Sequence, residues 1–335
     1  MKQYSGVLPH CPVVLGTWRL SGWMWGGADK QTAIRTIHAA LDSGIDGIDT
    51  APVYGFGRIE EWIGEAVAGR RNRLCLADKC GMVWNTDSET RAFESDENAV
   101  VRGGPYRVRL WLNPESMRRE LEMSLRRLKT DYIDLYQVHW YDGVTPWDDI
   151  AETLIKFREE GKVREIGLCN VSTEKMLRFL KTAPVASNQE RFSLLDRKAE
   201  RNNAAFCHRR KIAFWAYSPL ASGLLASETT VGRVYAQSDL RAQSPRFVPQ
   251  KRERAAALLR ELRPFREKYG LDCAAFALAW ALNVGGVTHV LAGAADPKQA
   301  ESALSAVGIK IAGEDMAAIG NILDRYEADF PSPKH

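Results

Sequence analysis

The chain has no Cys-x-x-Cys pair, no histidine at metal-ligand spacing, and no apolar run near the roughly 18 residues that a membrane-spanning helix requires. Each absence removes a class of protein. The six cysteines (Cys11, Cys75, Cys80, Cys169, Cys207 and Cys273) are scattered. That argues against a disulfide scaffold or metal module and reads as reduced thiols in a cytoplasmic protein. Residues 1–10 lack the apolar core of a signal peptide, so a soluble intracellular chain is expected. Charge of one sign is also missing: 46 Lys and Arg face 42 Asp and Glu, a net +4 in 335 residues, which demands neither nucleic acid nor a membrane surface. The basic clusters Arg70-Arg71, Arg118-Arg119, Arg126-Arg127 and Arg209-Arg210-Lys211 fall in or beside predicted helices and are expected on solvated faces. Finally, no Gly-x-Gly-x-x-Gly follows the first predicted strand, which weakens the case for an open dinucleotide-binding sheet.

What is present is alternation. A small N-terminal hairpin, then strand Val13–Trp18, a Gly22–Gly27 loop and a helix capped by Asp29 lead to a strand that ends at Asp49. Helix 59–67 precedes strand 73–79, which terminates at Lys79. From Cys80 to Asn113 the rhythm breaks into a polar, Gly-containing insertion, expected to be a long loop over the active site. It resumes with helix 114–128, strand 131–139 ending at His139, helix 147–160, strand 163–168, helix 172–181, strand 185–189, a helix to about 210 and strand 212–217. A second long loop, 218–250, precedes helices 251–269 and 273–282, strand 288–291 and two closing helices. Eight strands alternating with helices, with no linker-like shift in composition, predict one (β/α)8 TIM barrel over residues 1–335.

In such a barrel the carboxyl ends of all strands share one rim, so Asp49, Lys79 and His139, with Tyr54 just beyond Asp49, converge on one pocket. A tyrosine has a reference pKa of about 10 and needs a nearby cation to exchange protons at neutral pH. Lys79 supplies the cation and Asp49 keeps it charged. His139 is then positioned to orient a substrate oxygen. Taken singly, each residue has a plainer explanation: a turn aspartate, a surface lysine, a packed tyrosine, a core histidine. Four coincident strand ends outweigh those separate explanations.

These four residues, with Gly47-Ile48-Asp49-Thr50-Ala51 and Asp131-Tyr132-Ile133-Asp134-Leu135-Tyr136-Gln137-Val138-His139-Trp140 around them, closely resemble the aldo-keto reductases. The Gly22-Trp23-Met24-Trp25-Gly26-Gly27 loop and the His139-Trp140 pair are most similar to a bacterial branch that includes general-stress reductases. The resemblance runs from Leu15-Gly16-Thr17-Trp18 to Gly293-Ala294. It implies a barrel that binds a nicotinamide dinucleotide and moves a hydride between it and an aldehyde or ketone carbonyl, with Tyr54 as general acid and base. It also implies roles for other residues. Trp18 lies near the cofactor, Asn170 and Gln189 hold the carboxamide, and Tyr217 stacks on the nicotinamide. Ser218, Leu220, Ser222 and Gly223 belong to a loop over the pyrophosphate, and Gly293, Ala294, Ala295, Asp296 and Gln299 lie near the adenosine. Trp23, Trp25, Trp84, Trp111 and Trp140 are candidates for the substrate pocket.

One position departs from the resemblance. Where the family commonly carries an Arg or Lys for the 2′-phosphate of NADP, this chain has Ala295-Asp296. Losing the guanidinium removes charge-assisted bonds, and a carboxylate suits a free ribose hydroxyl. Lys298, Arg246 and Arg252 are candidate substitutes, so NADP is expected with NAD possible. Two other functions are carried alongside: an aldolase using Lys79 as a Schiff-base nucleophile, and a cofactor-sensing binding module. A monomer or weak oligomer is expected.

Overall fold

Parallel strands must be covered on both faces, and the short apolar segments of this chain meet that requirement by closing on themselves. The computed structural model describes residues 5–330 apart from 85, 87–89, 91, 97 and 101–103. In chain order the strands are β1 (Val13–Gly16), β2 (Gly47–Asp49), β3 (Cys75–Cys80), β4 (Met82–Trp84), β5 (Ala92–Ser95), β6 (Tyr106–Leu110), β7 (Ile133–Val138), β8 (Val163–Cys169), β9 (Ser187–Arg191), β10 (Ala213–Tyr217) and β11 (Val287–Gly293). Eight of them form a closed parallel barrel in the order β1-β11-β10-β9-β8-β7-β3-β2, the predicted TIM barrel.

The helices outside the barrel start where their caps dictate. Asp29, Asn113 and Ser172 each accept a backbone N–H of the first turn. The stretch expected as one helix over 251–269 is two, Pro249–Glu261 and Arg263–Lys268, because Pro264 cannot donate into a continuing ladder. Among the described residues no helix is long and apolar enough to cross a membrane.

Three expectations are corrected. The N-terminal hairpin is absent from the described residues: 5–12 run as turns and bends. Pro9 and Pro12 lack the N–H a ladder needs, and the Asp46 carboxylate accepts from the backbone of His10 (2.8 Å) and Cys11 (3.0 Å) instead. Leu8 thereby joins Val14, Ala77, Leu135, Ala213, Trp215 and Leu291 in the barrel interior. The insertion 80–113 is not wholly loop, since β4, β6 and β5 pair antiparallel in that order. Much of the polar sequence that suggested a loop, at 87–89 and 102–103, lies outside the described residues. Last, two clustered arginines are not on a solvated face. Arg127 pairs at 2.6 Å with the fully buried Glu60, and Arg71 pairs at 2.6 Å with the buried Asp134.

Inside the barrel, strand alternation decides what faces what. On β3, Ala77 and Lys79 point inward while Asp78 faces the helices, and on β7 Leu135 and Gln137 point inward. Gly167 on β8 makes room for them: a β-carbon there would stand 2.7 Å from Gln137 Cγ and 2.6 Å from Ser187 Oγ. Gly167→Ala should therefore lower the unfolding free energy by about 1–3 kcal/mol through overpacking, read from the urea midpoint. An unchanged midpoint would mean the interior has slack at that layer.

Candidate active site

At the carboxyl end of the barrel the interior layer turns from apolar to polar. Lys79, entirely buried, donates from Nζ to Asp49 Oδ1 (2.6 Å) and to the Thr50 carbonyl (2.8 Å). The second Asp49 oxygen accepts from Gln137 Nε2 (3.2 Å) and Gln189 Nε2 (2.8 Å), and Gln189 Nε2 also reaches Gln137 Oε1 (3.3 Å). Burial is the largest influence and opposes the Lys79 charge, but the charge and hydrogen bond of Asp49 together with the Tyr54 and Cys169 side chains outweigh it and hold the lysine above its ordinary pKa. A Schiff-base nucleophile has to be a neutral amine, so this environment argues against the aldolase reading. The Cys169 thiol beside Gln137 is driven up by burial and stays protonated.

Tyr54 lies above this layer, half-buried, with Lys79 Nζ 5.1 Å from its ring centre. Its turn is tight: Tyr54 N donates to the Ala51 carbonyl, and Gly55 and Phe56 follow in left-handed conformation. Loss of water pushes the Tyr54 phenol above the ordinary tyrosine value, while Lys79 pulls it down without overcoming that. His139 meets Tyr54 edge to face, with ring centres 5.8 Å apart. Burial first, and the Lys79 charge second, hold its imidazole well below the usual histidine value, so it is neutral at physiological pH. All four residues expected to converge do converge.

A rim of rings surrounds them. Trp18 stacks on Tyr54 at 6.2 Å and meets Trp25 edge-on at 5.3 Å, so the residue expected beside the cofactor stands against the tyrosine. Trp23, one of the substrate-pocket candidates, is 4% exposed, and its Nε1 donates to Ser95 Oγ at 2.9 Å, tying the β1 loop to the insertion. Trp25 lies between the guanidinium groups of Arg19 (5.4 Å) and Arg241 (4.9 Å). Trp84 meets Phe56 edge-on at 5.5 Å, and Trp111 and Trp140 are half-buried.

Beyond the tyrosine the residues expected around a dinucleotide divide. Tyr217 donates its hydroxyl to Asn170 Oδ1 (3.1 Å), Asn170 Nδ2 donates to the His139 carbonyl (3.3 Å), and Asn170 itself is left-handed. Gln189, expected beside Asn170 on the carboxamide, turns its amide nitrogen inward to Asp49, because an inward strand position in this layer faces the carboxylate. After β10 the backbone passes through left-handed conformations at Ser218, Ala221, Ser222 and Gly223, with Leu220 half-buried between them. Windings of this kind hold anions where their amides are free; here the amides of Ala221, Gly223, Leu224 and Leu225 donate to carbonyls within the turn. Asp296 caps the helix Pro297–Ser302 and accepts from Gln299 Nε2 (2.7 Å), while Gln299 Oε1 accepts from Ala295 N (3.1 Å). Gly293 is exposed beside Arg19, and Ala294 is buried. Of the substitutes for a missing phosphate-binding arginine, Arg246 is taken by Asp196 (2.8 and 3.0 Å) and Arg252 by the Thr230 and Arg233 carbonyls. Lys298 is exposed.

The model of the Aldo/keto reductase family matches residues 12–324. The chain belongs to the aldo-keto reductase family. The NADH-specific methylglyoxal reductase of Escherichia coli (strain K12) is 32% identical over 93% of this chain and 94% of its own length. The solved glycerol dehydrogenase of Gluconobacter oxydans is 35% identical, covers 99% of both chains and superposes with a TM-score of 0.84. An aldo-keto reductase of Klebsiella pneumoniae solved with NADPH is 26% identical, with a TM-score of 0.68 over 97% of this chain and 92% of that one. This aldo-keto reductase is an NAD(P)-dependent oxidoreductase.

Sequence reasoning missed Gln137, Arg19, Arg191 and Phe56. Gln137 was readable, since it sits two residues before His139 and so shares its strand face. Phe56 stacks on Tyr106 of the insertion at 3.9 Å, a contact no spacing rule reveals. The ion pair yields a stability prediction. Lys79→Met leaves a buried carboxylate without its cation and should cost about 3–5 kcal/mol in chemical denaturation, much of it recovered in the Asp49→Asn/Lys79→Met double variant. Equal losses in both would show that the pair is not what stabilises this layer.

Proposed function

We propose that this aldo-keto reductase reversibly reduces the carbonyl of a small aldehyde or ketone, with Tyr54 as the proton donor. The observation that carries the reading is the buried Lys79–Asp49 pair beneath a half-buried tyrosine. Tyr54 is protonated in the free protein and so begins as an acid. As it gives up its proton to the developing alkoxide, the Lys79 cation stabilises the phenolate left behind, with Asp49 fixing the lysine in place. Neutral His139 hydrogen-bonds the carbonyl oxygen without adding charge and orients it toward Tyr54. In the reverse direction the same phenolate accepts the alcohol proton.

The left-handed run at 218–223, the half-buried Tyr217 ring and the Asn170 amide fit a nicotinamide dinucleotide. Bound there, the cofactor supplies or accepts the hydride. Tyr217 would stack on its ring and Asn170 would hold its carboxamide. Ser218, Leu220, Ser222 and Gly223 would wrap the pyrophosphate, and residues 293–299 would flank the adenosine. Arg19, beside Gly293 and without a carboxylate bonded to it among the described residues, adds a cation to that channel. With Ala295-Asp296 in place of a guanidinium, the chain accepts NADH as well as NADPH, NADP being the family habit. Trp25, Trp84 and Trp140 bound the substrate side, and methylglyoxal and glycerol, named for two of the relatives, are the first substrates to assay.

Tyr54→Phe should reduce turnover of any accepted carbonyl by about 10²–10⁴-fold, the range for loss of a general acid, with little change in NADPH affinity measured by quenching of tryptophan fluorescence. Full activity in that variant would remove Tyr54 from the chemistry.

A further inference from the structure

Arg191 ends β9 directly beside Tyr217, its partner in the β9–β10 register. Its guanidinium lies over the Tyr217 ring, 5.4 Å from the centre. Among the described residues no carboxylate pairs with it, and its Nε is buried without a hydrogen-bond partner. The nearby acids are otherwise engaged. Asp196 is bound by Arg246, and Glu190 faces the opposite side of the strand, where it accepts from Asn188 and Asn203. Burial lifts the Tyr217 phenol to about 12 against the pull of Arg191, so the ring is neutral and the guanidinium charge is not cancelled there.

We infer that Arg191 sets which redox form of the cofactor this site prefers, by backing the Tyr217 platform with an uncompensated positive charge. The inference rests on the proposed stacking of the nicotinamide on Tyr217. One face of that ring is covered by the guanidinium, so a nicotinamide uses the other, and cation and ring then lie on opposite sides of one aromatic plane. The nicotinamide is neutral when reduced and carries a positive charge when oxidised. Lys79 already contributes a cation to the site, and Asp49 is the carboxylate that balances it. Beside the Tyr217 platform, Arg191 is the excess charge. Its attraction for the pyrophosphate is the same in both redox forms and cancels in their ratio, whereas its repulsion acts on the oxidised ring alone. The site therefore loads with reduced cofactor and expels the oxidised product, a step that often limits turnover.

The test is the dissociation constants of NADP⁺ and NADPH for the full chain by calorimetric titration, in wild type, R191M and R191K. At a separation near 10 Å in a partly screened site, removing one unit charge should lower the ratio Kd(NADP⁺)/Kd(NADPH) roughly three- to tenfold in R191M. R191K, which keeps the charge but not the planar fork, should retain the wild-type ratio. An unchanged ratio in R191M, or equal weakening of both forms, would overturn the inference and leave the cofactor site standing. Failure of wild type to bind either form would overturn the stacking reading and this inference with it.

Discussion

The ion pair between Lys79 and Asp49 is the constraint on which the rest of the site depends. Two opposite charges in a barrel interior survive only if each finds enough partners, and here the sequence provides them from five strands' worth of neighbours. Lys79 comes from β3, Asp49 and the Thr50 carbonyl from the end of β2, Gln137 from β7, and Gln189 from β9. Cys169 on β8 completes the ring without a charge of its own. Lys79 and Asp49 stand on neighbouring strands, while Gln137, Cys169 and Gln189 come from β7, β8 and β9 further round the barrel. The full set of partners is assembled only in the closed barrel, and it leaves a charged lysine beneath Tyr54.

Above that layer the site is built from loops, and they are tied to one another. Met24, itself left-handed, donates its N–H to the Asn98 carbonyl of the insertion and offers its own carbonyl to Leu240 N in the loop after β10. Trp25 bridges Asp239 in the same loop, and Asp239 accepts the Arg241 fork at 2.6 and 2.8 Å. The loop proposed to cover the cofactor and the insertion proposed to shape the substrate pocket therefore share one short crosspiece. Loops positioned by a rigid barrel are where such an enzyme varies its substrate.

The barrel was legible because its signals are local and repeated: caps at Asp29, Asn113 and Ser172, strands ending on polar residues, and helices of ordinary length. The four residues proposed for catalysis were legible as a cluster because the barrel makes strand ends converge. Other features rested on contacts that sequence spacing does not encode. No N-terminal hairpin forms among the described residues because two prolines and the Asp46 carboxylate determine residues 5–12. The insertion hid its strands because they are short and set charged residues such as Glu94, Arg107 and Arg109 among apolar ones. Gln189 shows the same limit: its place at a strand end marks it as polar and inward, but its bond to Asp49 depends on a residue 140 positions away. Arg127 and Arg71 looked solvated because their acidic partners, Glu60 and Asp134, are far away in sequence.

The central claim is that this barrel presents Tyr54 as an acid, protonated by burial yet poised over a cation that can stabilise its conjugate base. The direct measurement is an NMR titration of protein carrying ¹³Cζ-labelled tyrosine, with the Tyr54 resonance assigned by comparison with Tyr54→Phe. The account predicts a Tyr54 signal that remains in the phenol form through the ordinary tyrosine pKa of about 10 while exposed tyrosines titrate. A Tyr54 phenolate appearing below that value in the free protein would contradict it, and would make the residue a standing base rather than an acid awaiting its substrate.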